Sequence, residues 1–410
     1  MKLWAVAAAY GLWLFGIEAV FYLVGGSDEN ALQFAVVAGV VPVLIQLFLL
    51  GFNPLGLTAP AKYSIVLVLV VLLSFLGHAD NWTPLIYVCD ISFLLGIAII
   101  FAGSPDPRLL RSTAIIASVS IGILLVYVNF AGEYVLGRLT ANGIQPNFWG
   151  TTGLAVALAA VAAKRLPVAL FGLGAGLLTI YDASARGSLV GLLAALLTLM
   201  IASAVRLRSY RLVAAIAVVG GIPLVIMSVP SYLAAIGDVI STDVFKLNDP
   251  YRGLGSGFTG RSDLWAEAIN TWMRAPLFGV GYHQSDRFIT DQLGAHSAYL
   301  STLADMGVAG LLLYCGLLLW SFLAGLAIED ARTRRVTLAL IVGYAVYGLF
   351  ESRAFNLGNP FSLLFLMVGF YALADQQRRR IALRFRSLAS SSPISSPVPT
   401  PAAPARSPHG

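Results

Sequence analysis

The chain has 410 residues, of which 58% are hydrophobic and 11% charged, and its mean hydropathy is +0.82. Soluble domains carry about 25% charged residues, so this composition excludes a soluble globular fold and indicates an all-α polytopic membrane protein. The only cysteines, Cys89 and Cys315, lie in apolar runs. This placement excludes a disulfide scaffold and predicts two small buried side chains.

Twelve apolar runs predict about twelve transmembrane helices, at roughly 20 residues per span, with several short ones inside the bundle. They cover residues 3–24, 31–50, 63–76, 83–101, 113–130, 148–163, 166–180, 189–204, 212–229, 308–328, 336–350 and 361–373. We therefore divide the chain into spans one to nine (1–229), a periplasmic loop domain (230–298), spans ten to twelve (299–380) and a disordered, Ser/Pro-rich cytoplasmic tail (381–410).

The basic residues separate when the connections between spans are numbered alternately. Of the 26 Lys and Arg, 18 fall on one side, which the positive-inside rule assigns to the cytoplasm together with both termini. The net charge of +6 thus reflects membrane topology rather than nucleic-acid binding. The eight basic residues on the outer side are Arg138, Arg186, Lys246, Arg252, Arg261, Arg274, Arg287 and Arg353.

The positive-inside rule predicts few arginines on the outer side, so those present require a local explanation. An anionic ligand is one explanation, because a guanidinium binds phosphate oxygens bidentately. A nearby carboxylate or lipid headgroup is the alternative, and for a single arginine we favour it. For Arg186 and Arg261 together we favour the anion, because each lies at a predicted helix start. Arg186 occupies a tight turn in which Gly187 permits unusual dihedrals or close approach, Ser188 is a candidate helix cap and Asp182 is a candidate ion-pair partner.

An amphipathic helix is predicted at residues 262–273, where Leu264, Trp265, Ala268, Trp272 and Met273 share one face. Pro276 should end this helix. Gly279 and Gly281 follow and predict a sharp turn against something bulky, while a lone Gly-x-Gly is only weak support for phosphate binding.

Ionisable side chains near the outer surface offer candidate bases. His296 begins the stretch 295–300, which Gly307 should end, and its imidazole suits either proton transfer near neutral pH or a backbone hydrogen bond. His283 is the competing base and His78 a weaker one. The four histidines do not have metal-ligand spacing. Glu18 and Asp90 lie within spans, where they either face a polar cavity or form structural pairs.

In their order along the chain, these motifs resemble the O-antigen ligase and Wzy-type polymerase superfamily. The matching stretches are RLTANGIQPNFWG (138–150), SARG (184–187), TGR (259–261) with Trp265, Pro276 with Gly279 and Gly281, and AHSAYL (295–300) followed by Gly307 and Gly310. This sequence has Ser297 after the histidine, where many members have Asn, and Ala185 rather than Ser before Arg186.

The resemblance implies a GT-C-like glycosyltransferase architecture in the bacterial inner membrane, with its active site on the periplasmic face. It implies a metal-independent, cofactor-free, inverting transfer of a glycan from undecaprenyl diphosphate to a hydroxyl of lipid A–core or of another glycan. Arg186 and Arg261 would hold the diphosphate, and His296 would activate the acceptor hydroxyl. The residues that we assign to substrate binding are Arg138, Asn147, Trp265, Tyr282, His283, Tyr299 and Arg353.

Two alternatives stay open. A polymerase uses the same donor with a different acceptor, and the sequence does not decide between the two acceptors. A transporter or lipid flippase predicts repeated halves, interrupted helices and ionisable residues near mid-membrane, whereas the outer-side charges here gather at one surface. We therefore prefer a ligase whose partners are the lipid-linked donor, its acceptor and membrane lipids, with no nucleic acid.

Overall fold

The structure, a computed structural model, describes residues 1–26, 28–75, 83–204, 261–289, 294–352 and 359–391. The predicted span 212–229, the first half of the predicted loop domain, His78, Arg353 and residues 392–410 lie outside these ranges. Arg261 is described only as the first residue of a helix.

The described chain is helical apart from one short β-hairpin. The helices are α1 (Lys2–Leu23), α2 (Asp28–Leu49), α3 (Thr58–Ser74), α4 (Thr83–Ala102), α5 (Pro107–Ala131), α6 (Pro146–Ala160), α7 (Leu166–Asp182), α8 (Arg186–Ala204), α9 (Arg261–Arg274), α10 (Ala298–Leu326), α11 (Ala331–Tyr347) and α12 (Pro360–Ser391). A 3-10 helix covers Ser285–Phe288, and strands β1 (Glu133–Val135) and β2 (Arg138–Thr140) pair antiparallel. The all-α prediction is thus confirmed. The sequence did not predict the hairpin, because strands of three residues are too short to show a periodic pattern.

Four helices of the described chain are long and apolar enough to cross a membrane: α1, most of α2, α5 and α10. Shorter apolar helices are found in α3, α4, α7 and α8. The protein is therefore a polytopic helical membrane protein, while the count of twelve spans stays a prediction. The faces turned outwards carry large apolar side chains such as Phe48, Phe130 and Leu312.

Contacts between helix ends define two ends of the bundle. At the basic end of the bundle, Arg111 before the apolar part of α5 pairs with Asp330 before α11 at 2.8 Å. Arg378, just past the middle of α12, donates to the Ala102 carbonyl at the end of α4. The opposite end, which we call the site end, joins the start of α6 to the end of α11 through Asn147 and Glu351.

Two local predictions are wrong. Helix α12 continues to Ser391, beyond residue 381 where we placed the start of the disordered tail. Just before this extension, Arg379 pairs with Asp375 one turn earlier and with Glu329. Cys89 and Cys315 are exposed rather than buried, because each lies on a helix face turned away from the bundle.

Helix α10 is broken at Gly307, whose φ of +64° and ψ of −165° are not helical, so this residue interrupts the helix instead of ending it. Residues 275–281 cross the break and replace the lost hydrogen bonds. The N–H groups of Val308 and Ala309 donate to the carbonyls of Pro276 and Leu277, and the carbonyls of Ala304 and Asp305 accept from Val280 and Gly281. These four bonds satisfy backbone groups that the break in α10 would otherwise leave unpaired, as a helix in the membrane interior requires.

Gly279 makes this crossing possible. Its φ is +75°, and an added Cβ would lie 2.2 Å from the carbonyl carbon of Asp305. Gly279 therefore permits close backbone approach to α10, and a Cβ added to Gly281 would lie 3.2 Å from the Phe75 ring after α3. These contacts agree with the sharp turn against a bulky neighbour that the sequence predicts.

We expect Gly279→Ala to destabilise the fold by about 1–3 kcal/mol, because the methyl group meets backbone that cannot move aside. Gly143→Ala is the matched control, since Gly143 also has φ +75° but has no atom within 4 Å of an added Cβ. Thermal unfolding of both variants in detergent measures the difference. Equal melting temperatures would contradict the proposed close packing.

Candidate functional site

A continuous chain of polar contacts lies at the site end of the bundle. Arg138 donates from Nε to the Ala183 carbonyl at 2.9 Å and from Nη2 to Asn147 Oδ1 at 2.6 Å. Asn147 Nδ2 donates to Glu351 Oε1 at 2.8 Å, and Glu351 Oε2 lies 3.4 Å from His296 Nδ1. Arg138 and Glu351 are 9% and 8% exposed, so these charges lie inside the protein.

Local sequence places each member of this network. Pro146 and Asn147 begin α6, and proline suits the first position of a helix. His296 has φ +46° and directly precedes Ser297, whose side chain caps α10. The N–H of Ala298 donates to the Gly348 carbonyl at 2.7 Å, which joins the start of α10 to the end of α11 and brings His296 beside Glu351.

The turn that carries Arg186 connects α7 directly to α8. Ser184 has φ +47°, its N–H donates to the Tyr181 carbonyl, and the N–H of Ala185 donates to the Ile180 carbonyl. This is the Schellman pattern of a helix end, with serine in the left-handed position. Arg186 is then the first residue of α8, as predicted.

The predicted roles of two neighbours change. Ser188 lies within α8 and is buried, so it is not the helix cap. Gly187 serves close packing, since an added Cβ would lie 2.7 Å from Phe350 Cβ. Because Phe350 precedes Glu351, this contact sets the start of α8 against the segment that holds the His296 partner.

Arg186 lines a cavity of about 330 Å³ between the hairpin and the α7–α8 turn. Other lining residues are Tyr134, Leu177, Ile180, Tyr181, Asp182 and Leu189, so the walls are largely apolar beside the charged groups. The Tyr134 hydroxyl donates to Asp182 Oδ2 at 3.2 Å. Burial and then the neighbouring Asp182 raise the pKa of Tyr134 above its usual 10, so the phenol stays a proton donor.

Helix α9 confirms the predicted amphipathic helix, with Leu264 and Ala268 buried. Leu264 and Ala268 pack in one cluster with Ile289 and with Ala295, the residue before His296. The first turn of α9, which begins at Arg261, therefore lies close to the His296 segment. Trp265 is partly buried in the same turn, whereas Met273 of the predicted apolar face is exposed.

A second cluster holds other predicted binding residues. The buried Tyr282 and the partly buried His283 pack against Tyr87 of α4, and the Tyr282 N–H donates to Ser74 of α3. Burial, with a contribution from Asp305, raises the pKa of the Tyr282 phenol well above its usual value. Tyr299 donates to the Ala345 carbonyl at 2.9 Å, inside the bundle. Their roles in binding stay predictions.

Glu351 is the site residue that sequence reasoning missed. Glu351 follows an apolar run and comes two residues before Arg353, which we had selected as a binding residue. Its position in the sequence beside Arg353 is the signal that could have identified it. Glu18, by contrast, accepts a hydrogen bond from Thr152 on α6, which favours the structural interpretation of that carboxylate. Within the described ranges, no three His, Cys, Asp or Glu side chains group closely enough to hold a metal ion.

Comparison with known families bears on this arrangement. Residues 169–315 match the family model described as O-antigen ligase. The match covers 147 of the 410 residues, which we call the ligase domain. It confirms the resemblance that the sequence suggested and broadly supports a function of the ligase or polymerase type. No curated protein matches the chain.

The ligase domain includes Arg186, Arg261 and His296, whereas Arg138, Asn147 and Glu351 lie outside the matched residues. The polar network therefore joins the domain to helices on both sides of it in the chain. Arg138 and Asn147 come from the preceding segment, and Glu351 comes from the end of α11.

We expect Arg138→Ala to destabilise the ligase-domain junction by about 2–4 kcal/mol, because it leaves buried acceptors without their charged donor. Arg138→Lys should recover only part of this loss, since one ammonium cannot reproduce two directed guanidinium bonds. Arg287→Ala is the control, because Arg287 is exposed at the same end. Thermal melting in detergent measures the stability of the three variants. An Arg138→Ala variant as stable as the unmodified protein would contradict the structural role of Arg138.

Proposed function

We propose that this protein transfers a glycan from undecaprenyl diphosphate to an acceptor hydroxyl of lipid A–core, as an inverting and metal-independent O-antigen ligase. The site end would face the periplasm of a bacterial inner membrane, with both chain termini in the cytoplasm. The observation that carries the proposal is the His296–Glu351 pair, which lies beside the start of α8 where Arg186 begins the helix.

His296 is suited to act as a general base. In hydrolases and transferases, a carboxylate on one ring nitrogen orients the imidazole, and the other nitrogen removes a proton from the attacking hydroxyl. Glu351 faces Nδ1, which leaves Nε2 for the acceptor. Asn147 donates to the same carboxylate and holds it in position.

The leaving group requires positive charge. As the acceptor oxygen bonds to the anomeric carbon, the bond to the diphosphate breaks, and negative charge develops on the departing oxygen. Arg186 and Arg261, each at the start of a helix, would stabilise that charge with guanidinium and backbone N–H groups. His296 would hold the proton taken from the hydroxyl.

The acceptor distinguishes the ligase from its nearest alternative, a polymerase that attacks with a sugar hydroxyl of a second lipid-linked glycan. A flippase would move the donor without forming a bond. Purified protein in vesicles, supplied with an undecaprenyl-diphosphate glycan and each acceptor in turn, separates the three. A lipid A–core product would support assignment as a ligase, and glycan elongation would indicate a polymerase instead. Movement of the donor across the vesicle membrane without a product would contradict any transferase function.

In the same assay, we expect His296→Ala to lower turnover by roughly 10²–10⁴-fold with a smaller change in donor KM. Glu351→Gln should also lower turnover, because the amide can hold the wrong imidazole tautomer. Arg186→Ala should lower turnover by about 10²–10³-fold. Arg287→Ala, exposed at the same end, is the control with full activity.

Two results would revise the assignment. A larger loss in His283→Ala than in His296→Ala would move the base to the second cluster. Normal turnover in Arg186→Ala would remove the diphosphate role of that arginine. Thermal melting of each purified variant shows whether a loss of activity reflects chemistry or folding.

A further inference from the structure

The β1–β2 hairpin carries an apolar tip. Its register pairs Val135 with Arg138, so Leu136 and Gly137 form a two-residue turn. Both turn residues have positive φ, +51° for Leu136 and +69° for Gly137, as in the type I′ turns that favour Asn, Asp and Gly. A leucine in this conformation is strained, and its side chain is 94% exposed.

The two strands of the hairpin differ in burial. Arg138 and Leu139 of β2 are buried against the protein, whereas all three residues of β1 are exposed. At the tip, the apolar side chains of Tyr134, Val135 and Leu136 are all at least half exposed. A strained and exposed leucine contributes nothing to packing within the described protein, so its benefit must come from a partner.

The surroundings of the tip indicate lipid. The hairpin begins one residue after α5, a helix of 25 residues that is about 37 Å long against a hydrocarbon core of about 30 Å. Tyr127 and Phe130, in the last turns of α5, are also exposed, and Tyr181 is exposed at the end of α7. Tyrosines beside apolar side chains are typical of the membrane interface.

We propose that the hairpin tip, residues 134–136, inserts into the lipid at the site-end surface of the membrane and anchors this wall of the Arg186 cavity there. Tyr134 and Gly137 line that cavity, and Tyr134 also bonds Asp182 at the end of α7. The anchor places the cavity at the level of the lipid headgroups. That this depth suits a polyprenyl diphosphate rests on the proposed function. The insertion of the tip into lipid does not depend on it.

Spin labelling tests the insertion without any donor. A nitroxide is attached to Leu136→Cys in the full chain with Cys89 and Cys315 replaced by alanine, and the protein is reconstituted in phosphatidylcholine vesicles. Val135→Cys gives a second label at the tip, and Arg287→Cys, at an exposed site of the same end, is the matched water-facing control. Size-exclusion profiles identify any variant that fails to fold.

We expect both tip labels to collide several-fold more often with oxygen, which concentrates in lipid, than with a water-soluble nickel chelate. The Arg287→Cys label should show the opposite preference. Tip labels that prefer the nickel chelate would overturn the insertion. Labels reached by neither reagent would overturn it in favour of a protein contact, and both results leave the transfer assay unaffected.

Discussion

A buried carboxylate at the site end governs the arrangement of the surrounding helices. Glu351 is 8% exposed, and a charge removed from water must be compensated by directed hydrogen bonds or opposite charge. Its two oxygens meet Asn147 and His296, and Asn147 is held in turn by Arg138. The starts of α6 and α10, the end of α11 and the hairpin are therefore fixed relative to one another by one charge.

Backbone geometry supplies the second constraint. Helix α10 breaks at Gly307, and the exposed peptide groups are satisfied by residues 275–281. These hydrogen bonds hold the segment after α9 against residues 304–309 of α10. Because Leu264 and Ala295 pack together in the same region, the start of α9 lies beside the His296 segment.

These constraints together bring a histidine, an arginine and an apolar cavity to one end of the bundle. Arg186 gains its position from the helix end at Ser184 and from the contact of Gly187 with Phe350. Rigid placement of charged groups is what the proposed chemistry requires, since preorganised cations stabilise a departing diphosphate without reorganisation. The hairpin carries Arg138 on its buried strand β2 and, in our proposal, joins this site to the membrane surface.

Hydropathy and local sequence determined the apolar helices, the amphipathic helix at Arg261–Arg274 and the helix start at Arg186, because each is a property of nearby residues. Only the tertiary structure decided which side chains meet. Glu351 lies 55 residues from His296 and 204 from Asn147, and no local pattern encodes such contacts. The sequence did not predict the break at Gly307 either. A glycine is compatible with the end of a helix and with close packing against another backbone, and only the structure shows which neighbour it contacts.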